Sequence, residues 1–351
     1  MSFELNEKVK DMQPYEPISG EYRIRLDANE SFITPDDDLK ARLYDVFSST
    51  VFNRYPDPLA SDACDAFARL FGTDSRFVTA FNGSDESIFV IMNAFVQKGD
   101  TVVTLDPDFS MYSIYANTVE ANVEVFEKSP DDTIDFDALA QFVKEKNARL
   151  VIFSNPCNPT GAGADSDVIK NFISSVDALV IDDEAYMDFW DDPVVSQASE
   201  YDNLIVLRTC SKALGFAALR LGFAVCNEKL TAVLRNVKSP YNVNSLTAAL
   251  CAEVLSDKEY LDSCSQQIKK SVSELYEGLR DMRGFSVRRP DTNFVYIKTD
   301  DAPLIYDFFR ENGIAVRYFE PDHLRITAGS TFENAEVISL MKRFFLNNDF
   351  N

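Results

Sequence analysis

The sequence predicts an α/β protein: a large, mostly parallel sheet lying between helices, followed by a smaller α/β unit. Three observations carry this reading. From about residue 77 to 240, apolar runs of strand length alternate with stretches of helical apolar spacing, the pattern of parallel strands joined by crossover helices. After about Pro240 the character changes to a long helical run with a few strand-like pieces behind it. The length, 351 residues, suits about two domains at roughly 150 residues each.

The elements follow in order. The first residues, to about 35, hold Pro14, Pro17 and Pro35 and no clear periodicity, so 1–35 is expected to be an extended arm packed on the small unit or on a partner subunit. The large unit is expected over 36–240. Within it "FVTAF" (77–81) reads as a strand and "SDESIFVIMNAFVQ" (84–97) as a helix ending before Gly99. "TVVTL" (101–105), "VEVFE" (123–127), "RLVIFS" (149–154), "ALVID" (178–182), "NLIVLRT" (203–209) and "LGFAVC" (221–226) read as strands, with "FDALAQFVKEK" an amphipathic helix between the second and third of these. The small unit, 241–351, opens with a single long helical run from Ser245 to Met282. Strands at "NFVYIKT" (293–299) and "HLRITA" (323–328) follow, and a closing helix at "FENAEVISLMKRFFLNN".

Composition narrows the function classes. Hydrophobic residues make up 46% of the chain, enough for a large core and too many for a disordered chain. The formal charge is -23 with no Lys/Arg run, which argues against a nucleic-acid partner. An anionic small substrate then needs a local island of positive charge, so arginines in apolar surroundings gain interest. Cys64, Cys157, Cys210, Cys226, Cys251 and Cys264 are scattered without a C-x-x-C pair and read as buried reduced thiols of a cytoplasmic protein. The start, "MSFELNEKVK", has no apolar signal region, and no stretch approaches the roughly 18 apolar residues of a membrane span. The single histidine, His323, excludes a multi-histidine metal site and reads as structural.

In sheets of this kind ligands sit outside the carboxyl ends of the strands, and four such junctions are unusual. "FNGSDES" (81–87) runs from a strand through Gly83 into a helix, where free N–H groups make an anion site; Ser84 or Asp85 could equally be an ordinary N-cap. "SNPCNPTGAG" (154–163) fixes an irregular loop around Asn158, or is only an elaborate turn. "ALVIDDEAYMDF" (178–189) brings Asp182, Asp183 and Glu184 to a strand end, to face water, to bind a hard metal, or to hold a protonated nitrogen. "TCSKALGFAALRLGF" (209–223) sets Lys212 and Arg220 among small and apolar residues. Either both reach out to water, or the arginine meets an anion. One ligand explains all four: a phosphate for the helix start and Arg220, a basic ring nitrogen for an aspartate, a phenolic oxygen for the asparagine and a tyrosine, and an aldehyde for the lysine. That ligand is pyridoxal phosphate.

The stretches "LDANES" (26–31), "RYPDP" (54–58), "GSDE" (83–86), "PDFSMY" (107–112), "NPCNPTG" (155–161), "DEAY" (183–186), "TCSKALGFAALRLGF" and "LRITAG" (324–329) occur in an order and spacing that resemble the fold-type I pyridoxal-phosphate aminotransferases. Within them the histidinol-phosphate aminotransferases are resembled most closely, over nearly the whole chain. The resemblance implies that Lys212 joins the cofactor's aldehyde and that Asp183 keeps its ring nitrogen protonated. Asn158 and Tyr186 hydrogen-bond its phenolic oxygen, and Asn158 also borders the substrate. Phe109 stacks on the ring, where the family usually has tyrosine. Ser84, Asp85, Ser211 and Arg220 bind the phosphate, joined by Tyr55 from the partner subunit of a homodimer. Arg325 and Arg317 bind the acidic end of the substrate, and Tyr15 of the arm faces it. The substrates implied are an amino donor and a 2-oxo acid.

The donor stays open at this level. Arginine pairs phosphate and carboxylate equally well, so Arg317 and Arg325 do not separate histidinol phosphate from an aromatic amino acid or from threonine phosphate, the substrate of a related decarboxylase. "LDANES" resembles the aminotransferase form of its motif, although Ser31-Phe32 stands where the family usually has Asn-Pro. A nucleotide-binding oxidoreductase is disfavoured by the missing G-x-G-x-x-G, and a binding protein without chemistry by the presence of Lys212.

Overall fold

The structure is a computed structural model, and it describes residues 3–4, 6–10 and 17–348. Near the amino end lie a short helix, α1 (Glu7–Lys10), and a two-residue strand, β1 (Ile24–Arg25). The large sheet has seven strands: β2 (Val78–Phe81), β3 (Thr101–Asp106), β4 (Asn122–Glu127), β5 (Leu150–Ser154), β6 (Leu179–Asp183), β7 (Leu204–Thr209) and β8 (Gly222–Cys226). Their spatial order is β2-β8-β7-β6-β5-β3-β4. Only β8 runs against its neighbours, pairing antiparallel with both β2 and β7, so the mostly parallel α/β fold read from the sequence is the fold observed.

The strand sequences explain why the sheet is buried on both faces. Side chains alternate along a strand. Val103, Val151, Phe153, Val180, Val206 and Val225 enter one core. Val102, Leu150, Ile152, Ile181, Ile205 and Ala224 enter the other. Helices α2 (Asp37–Ser49), α3 (Ser61–Phe71), α4 (Gly83–Phe95), α5 (Met111–Thr118), α6 (Phe136–Glu145), α7 (Ser166–Ser175) and α8 (Glu228–Val237) connect and cover these strands.

The helical run expected as one piece over 245–282 is two helices, α9 (Ser245–Ser256) and α10 (Lys258–Leu279). The break is Asp257, whose side chain accepts from Tyr260 N and caps α10; an aspartate suits an N-cap better than a helix interior. On α9, Cys251, Val254 and Leu255 join the core of the large sheet.

A second sheet, of order β12-β13-β10-β9, is built from β9 (Ser286–Val287), β10 (Phe294–Lys298), β12 (Arg317–Phe319) and β13 (His323–Thr327). It packs with α11 (Ala302–Glu311) and α12 (Thr331–Asn348) around Ile297, Ile305, Phe309, Leu324 and Ile326. The arm reaches this core too: β1 pairs in parallel with β11 (Ile314–Ala315), and Ile24 and Leu26 are buried in it. The chain that follows β1 thereby brings Ala28 and Asn29 beside Ser154, Asp183 and Thr209, at the carboxyl ends of β5, β6 and β7. All six cysteines are buried and unpaired.

Candidate active site

A cavity of about 340 Å³ opens where the ends of β5, β6 and β7 meet the first turn of α4, residues 28–29 and β13. Lys212, Asp183, Tyr186, Asn158 and Phe109 line it, as do Ser84, Asp85, Ser211, Arg220 and Arg325. Arg317 does not; it lines an adjoining cavity that shares Phe109, Asn158 and Arg325 with the first. Tyr55 is also absent from the lining: its side chain is 83% exposed and stacks on Tyr241 with ring centres 4.8 Å apart. Tyr15 lies outside the described residues.

One end of the cavity is built for an anion. The N-cap of α4 is Asn82, whose side chain makes no cap bond, so neither Ser84 nor Asp85 is the cap; both sit in the first helical turn, where N–H groups lack intrahelical acceptors. Gly83 has φ 77°, in the left-handed region. Gly222 of β8 lets that turn approach, because a Cβ there would stand 2.7 Å from Gly83 C and Ser84 N. Arg220 extends over this turn, 3.5 Å from Asp85 Oδ2, and its Nη1 donates to Ser211 Oγ at 3.4 Å.

At the far end Asp183 is fully buried. Its Oδ2 accepts from Tyr112 Oη at 2.8 Å and its Oδ1 from Ala185 N at 3.2 Å. Burial pushes its carboxyl up to about 7, against the pull of those two donors. A group so poised, beside a cavity, is suited to a cationic partner.

Between the two ends Lys212 Nζ donates to Ala28 O at 2.9 Å and lies 5.6 Å from the centre of the Tyr186 ring. Tyr186 Oη accepts from Asn29 Nδ2 at 2.8 Å. Asn29 is itself fixed by Thr327 and Asn293 and holds φ 56°. Arg325 is 7% exposed. It donates to Asn158 Oδ1 and, at 2.6 Å, to Asp27 O, and lies over the rings of Phe294 and Phe319. Arg317 faces it across β12 and β13 in direct register. His323 is in the wall of the adjoining cavity, stacked on Tyr296 and 2.6 Å from Asp322 Oδ1 through Nδ1.

The other two acids of the 182–184 run do not join this site. Glu184 pairs with buried Arg208 at 3.2 Å and accepts from Val194 N at 2.6 Å. Asp182 points into the opposite core, between Phe153 and Val206 of the flanking strands. Among the described residues no group of His, Cys, Asp and Glu is placed to hold a metal ion. The sequence alone gives no role to Asn29, Tyr112 or Ser154, all of which line the cavity, although they stand inside "LDANES", "PDFSMY" and "SNPCNPTGAG".

These groups fit pyridoxal phosphate. The glycine-shaped turn and Arg220 suit its phosphate, Asp183 its ring nitrogen, Asn158 and Tyr186 its phenolic oxygen, and Lys212 its aldehyde. Residues 22–344 match the family described as aminotransferase class I and II. A histidinol-phosphate aminotransferase from Clostridium novyi (strain NT) is 38% identical over 338 residues, 95% of each chain. One from Thermoanaerobacter sp. (strain X514) is 37% identical over 354 residues, covering 97% of this chain and 99% of the relative. The crystal structure of histidinol-phosphate aminotransferase from Sinorhizobium meliloti in complex with pyridoxal-5'-phosphate superposes with a TM-score of 0.86, at 22% identity and over 95% of both chains. The chain belongs to the class I and II aminotransferase family and is a pyridoxal-phosphate enzyme.

Proposed function

We propose that the chain moves the amino group of histidinol phosphate to 2-oxoglutarate, as a step of histidine biosynthesis. The observation that carries the substrate reading is the Arg325–Arg317 pair. Arg325 is buried beside Asn158 on the cofactor side, and Arg317 lies in register with it in the adjoining cavity. That gives an anion-binding surface just beyond Lys212, in a chain whose net charge is -23, able to take either a phosphate or a carboxylate. The names of the two relatives add the choice of phosphate.

The cofactor supplies an electron sink for the carbanion formed at the substrate. The chain's residues do the rest. Asp183 holds negative charge against the ring nitrogen. Asn158 and Tyr186 orient the phenolic oxygen, and the Asn29 contact fixes Tyr186. Lys212 Nζ, once free and neutral, is the base that takes the proton from the amine-bearing carbon. Phe109 offers an apolar face to the ring.

The same reading includes the arm (1–35), large (36–240) and small (241–351) division, with α9 packed back on the large unit. It also includes a homodimer in which Tyr55 reaches the phosphate of the other subunit and Tyr15 faces the substrate. A cytoplasmic location belongs to the same reading; among the described residues no helix is long and apolar enough to cross a membrane.

The test is a substrate panel on the purified protein. Conversion of the bound cofactor to its amine form is followed with histidinol phosphate, phenylalanine, tyrosine and threonine phosphate. Conversion by histidinol phosphate is expected. Reaction with phenylalanine but not histidinol phosphate overturns the substrate, and release of carbon dioxide from threonine phosphate overturns the reaction type. Borohydride should fix cofactor mass on Lys212, and Lys212→Ala should abolish turnover.

A further inference from the structure

Lys128 and Asp108 form a buried ion pair that no role described so far absorbs. Lys128 follows β4, Asp108 lies in the turn after β3, and their side chains are 0% and 1% exposed with Nζ 3.1 Å from Oδ2. An ammonium has three hydrogens to donate, and Lys128 has three acceptors: Asp108 Oδ2, Pro107 O at 2.8 Å and Cys157 Sγ at 3.0 Å. Those acceptors belong to two different loops, one leading into Phe109 and the other into Asn158. Asp108 carries the connection further. Its Oδ1 accepts from Phe109 N at 2.8 Å and from the Ser154 hydroxyl, and Ser154 Oγ accepts from Asn158 N at 3.1 Å.

Taking two charges out of water is costly, and a buried pair is often no more stabilising than apolar residues of similar volume. Stability alone therefore does not explain this one. What the pair provides is direction: the backbone N–H groups of Phe109 and Asn158 are hydrogen-bonded, directly or through one hydroxyl, to a single carboxylate that Lys128 pins in place.

We propose that Lys128 and Asp108 are positioning residues that hold Phe109 and Asn158 in register with each other against the cofactor ring. This rests on the cofactor reading above. A lysine fits the task because its three donors diverge toward both loops, whereas the planar fork of arginine does not.

The experiment uses the full chain, stripped of cofactor and titrated with pyridoxal phosphate. Asp108→Asn/Lys128→Met leaves no buried charge unpaired, so the apo protein is expected to melt close to wild type. Its dissociation constant for pyridoxal phosphate is expected to rise about tenfold or more, the scale of one lost charge-assisted hydrogen bond. The pH midpoint of the bound cofactor's visible band is expected to shift. Wild-type affinity together with a wild-type band overturns the proposal. If the double variant does not fold, Ser154→Ala cuts only the hydroxyl link to Asn158; an unchanged dissociation constant and band there overturn it equally. Failure of the wild-type protein itself to take up pyridoxal phosphate would instead overturn the cofactor reading, so the two failures are distinct.

Discussion

Tyr112 donates its phenolic hydrogen to Asp183 Oδ2 at 2.8 Å, in a site where both side chains are buried. The bond favours the charged carboxylate. Without it, Asp183 should titrate further above its present value of about 7. Tyr112→Phe is therefore expected to weaken pyridoxal-phosphate binding by about tenfold near pH 6.5, and by less near pH 8.5, where the carboxylate ionises unaided. Titration of the apo protein at the two pH values checks this; an equal loss at both would show that the hydroxyl does not act through Asp183.

Asp183 also makes the apo protein sensitive to pH. Its carboxyl ordinarily titrates at 3.8, and burial raises it to about 7 in the folded chain. A raised carboxyl means that the folded state binds the proton more tightly than the unfolded one. The associated stability is fully present below about pH 4 and is lost as the pH rises through about 7. The loss is at most about 4 kcal/mol. Apo Asp183→Asn has no proton to lose there, so it is expected to melt above apo wild type at about pH 8 while holding the cofactor poorly. A wild-type pH profile in the variant would assign the effect to other groups.

The family resemblance singles out Asp183 within its acidic run. Lys212, Asp183, Asn158 and Arg220 were legible because each stretch, that of Arg220 just ahead of β8, breaks an apolar or proline-bounded context at a strand end. That is where an open α/β sheet holds its ligands. Asn29 and Tyr112 were not, although they stand in short motifs that were. Their partners are 157 and 71 residues away, and nothing local records such a contact. The long helical run concealed a break at Asp257 because apolar spacing continues across it, and only the capping chemistry of the aspartate marks the boundary. Asp182 and Glu184 read as companions of Asp183, but strand alternation turns them to the other face. The roles expected of Tyr55 and Tyr15 rest on the family resemblance alone: in this chain Tyr55 is exposed and stacked on Tyr241, and Tyr15 lies outside the described residues.

Asp182 is the clearest stability liability in the described residues. It is 0% exposed, and neither carboxyl oxygen has a hydrogen-bond partner. Burial, with Glu184 and Asp183 close by, holds its carboxyl well above the usual range. Asp182→Val replaces it with the residue type of its cross-strand neighbour Val206. The variant is expected to gain about 1–3 kcal/mol, seen as a higher melting temperature with unchanged turnover, since the side chain faces away from the cavity. A lower melting temperature would mean that the carboxyl is hydrated or paired in solution.

Arg325 contributes a planar fork. It reaches Asn158 Oδ1 and Asp27 O at once, and a lysine presents no such pair of parallel donors. Arg325→Lys keeps the charge but is expected to lower kcat/KM for the anionic donor about a hundredfold, because Asn158 loses its anchor as well as the substrate its partner. Arg317→Lys, on a half-buried strand of the adjoining cavity, is expected to raise KM with little change in kcat. The two variants are compared by steady-state kinetics; equal effects on both parameters would remove the distinction between the two arginines.

Gly222 tests the anion end without touching a charge. Its Cβ position lies 2.7 Å from Gly83 C and Ser84 N and 3.1 Å from Arg208 O, all backbone atoms that cannot swing aside as a flexible side chain would. Gly222 pairs with Phe81 and Thr209 on its two flanks, so the strand has little freedom to retreat, and the first turn of α4 is what must move. That turn carries the N–H groups of Ser84 and Asp85 and lies under Arg220. Gly222→Ala is expected to destabilise the apo protein by about 1–3 kcal/mol, as overpacking does. It should also weaken binding of pyridoxal phosphate by at least about tenfold, because a helix N-terminus binds an anion only when its N–H groups converge on it. Pyridoxal without the phosphate should lose far less. Titrating the apo variant with both compounds separates the cases: a parallel loss for both would mean that the added methyl disturbs the whole cavity rather than the phosphate end.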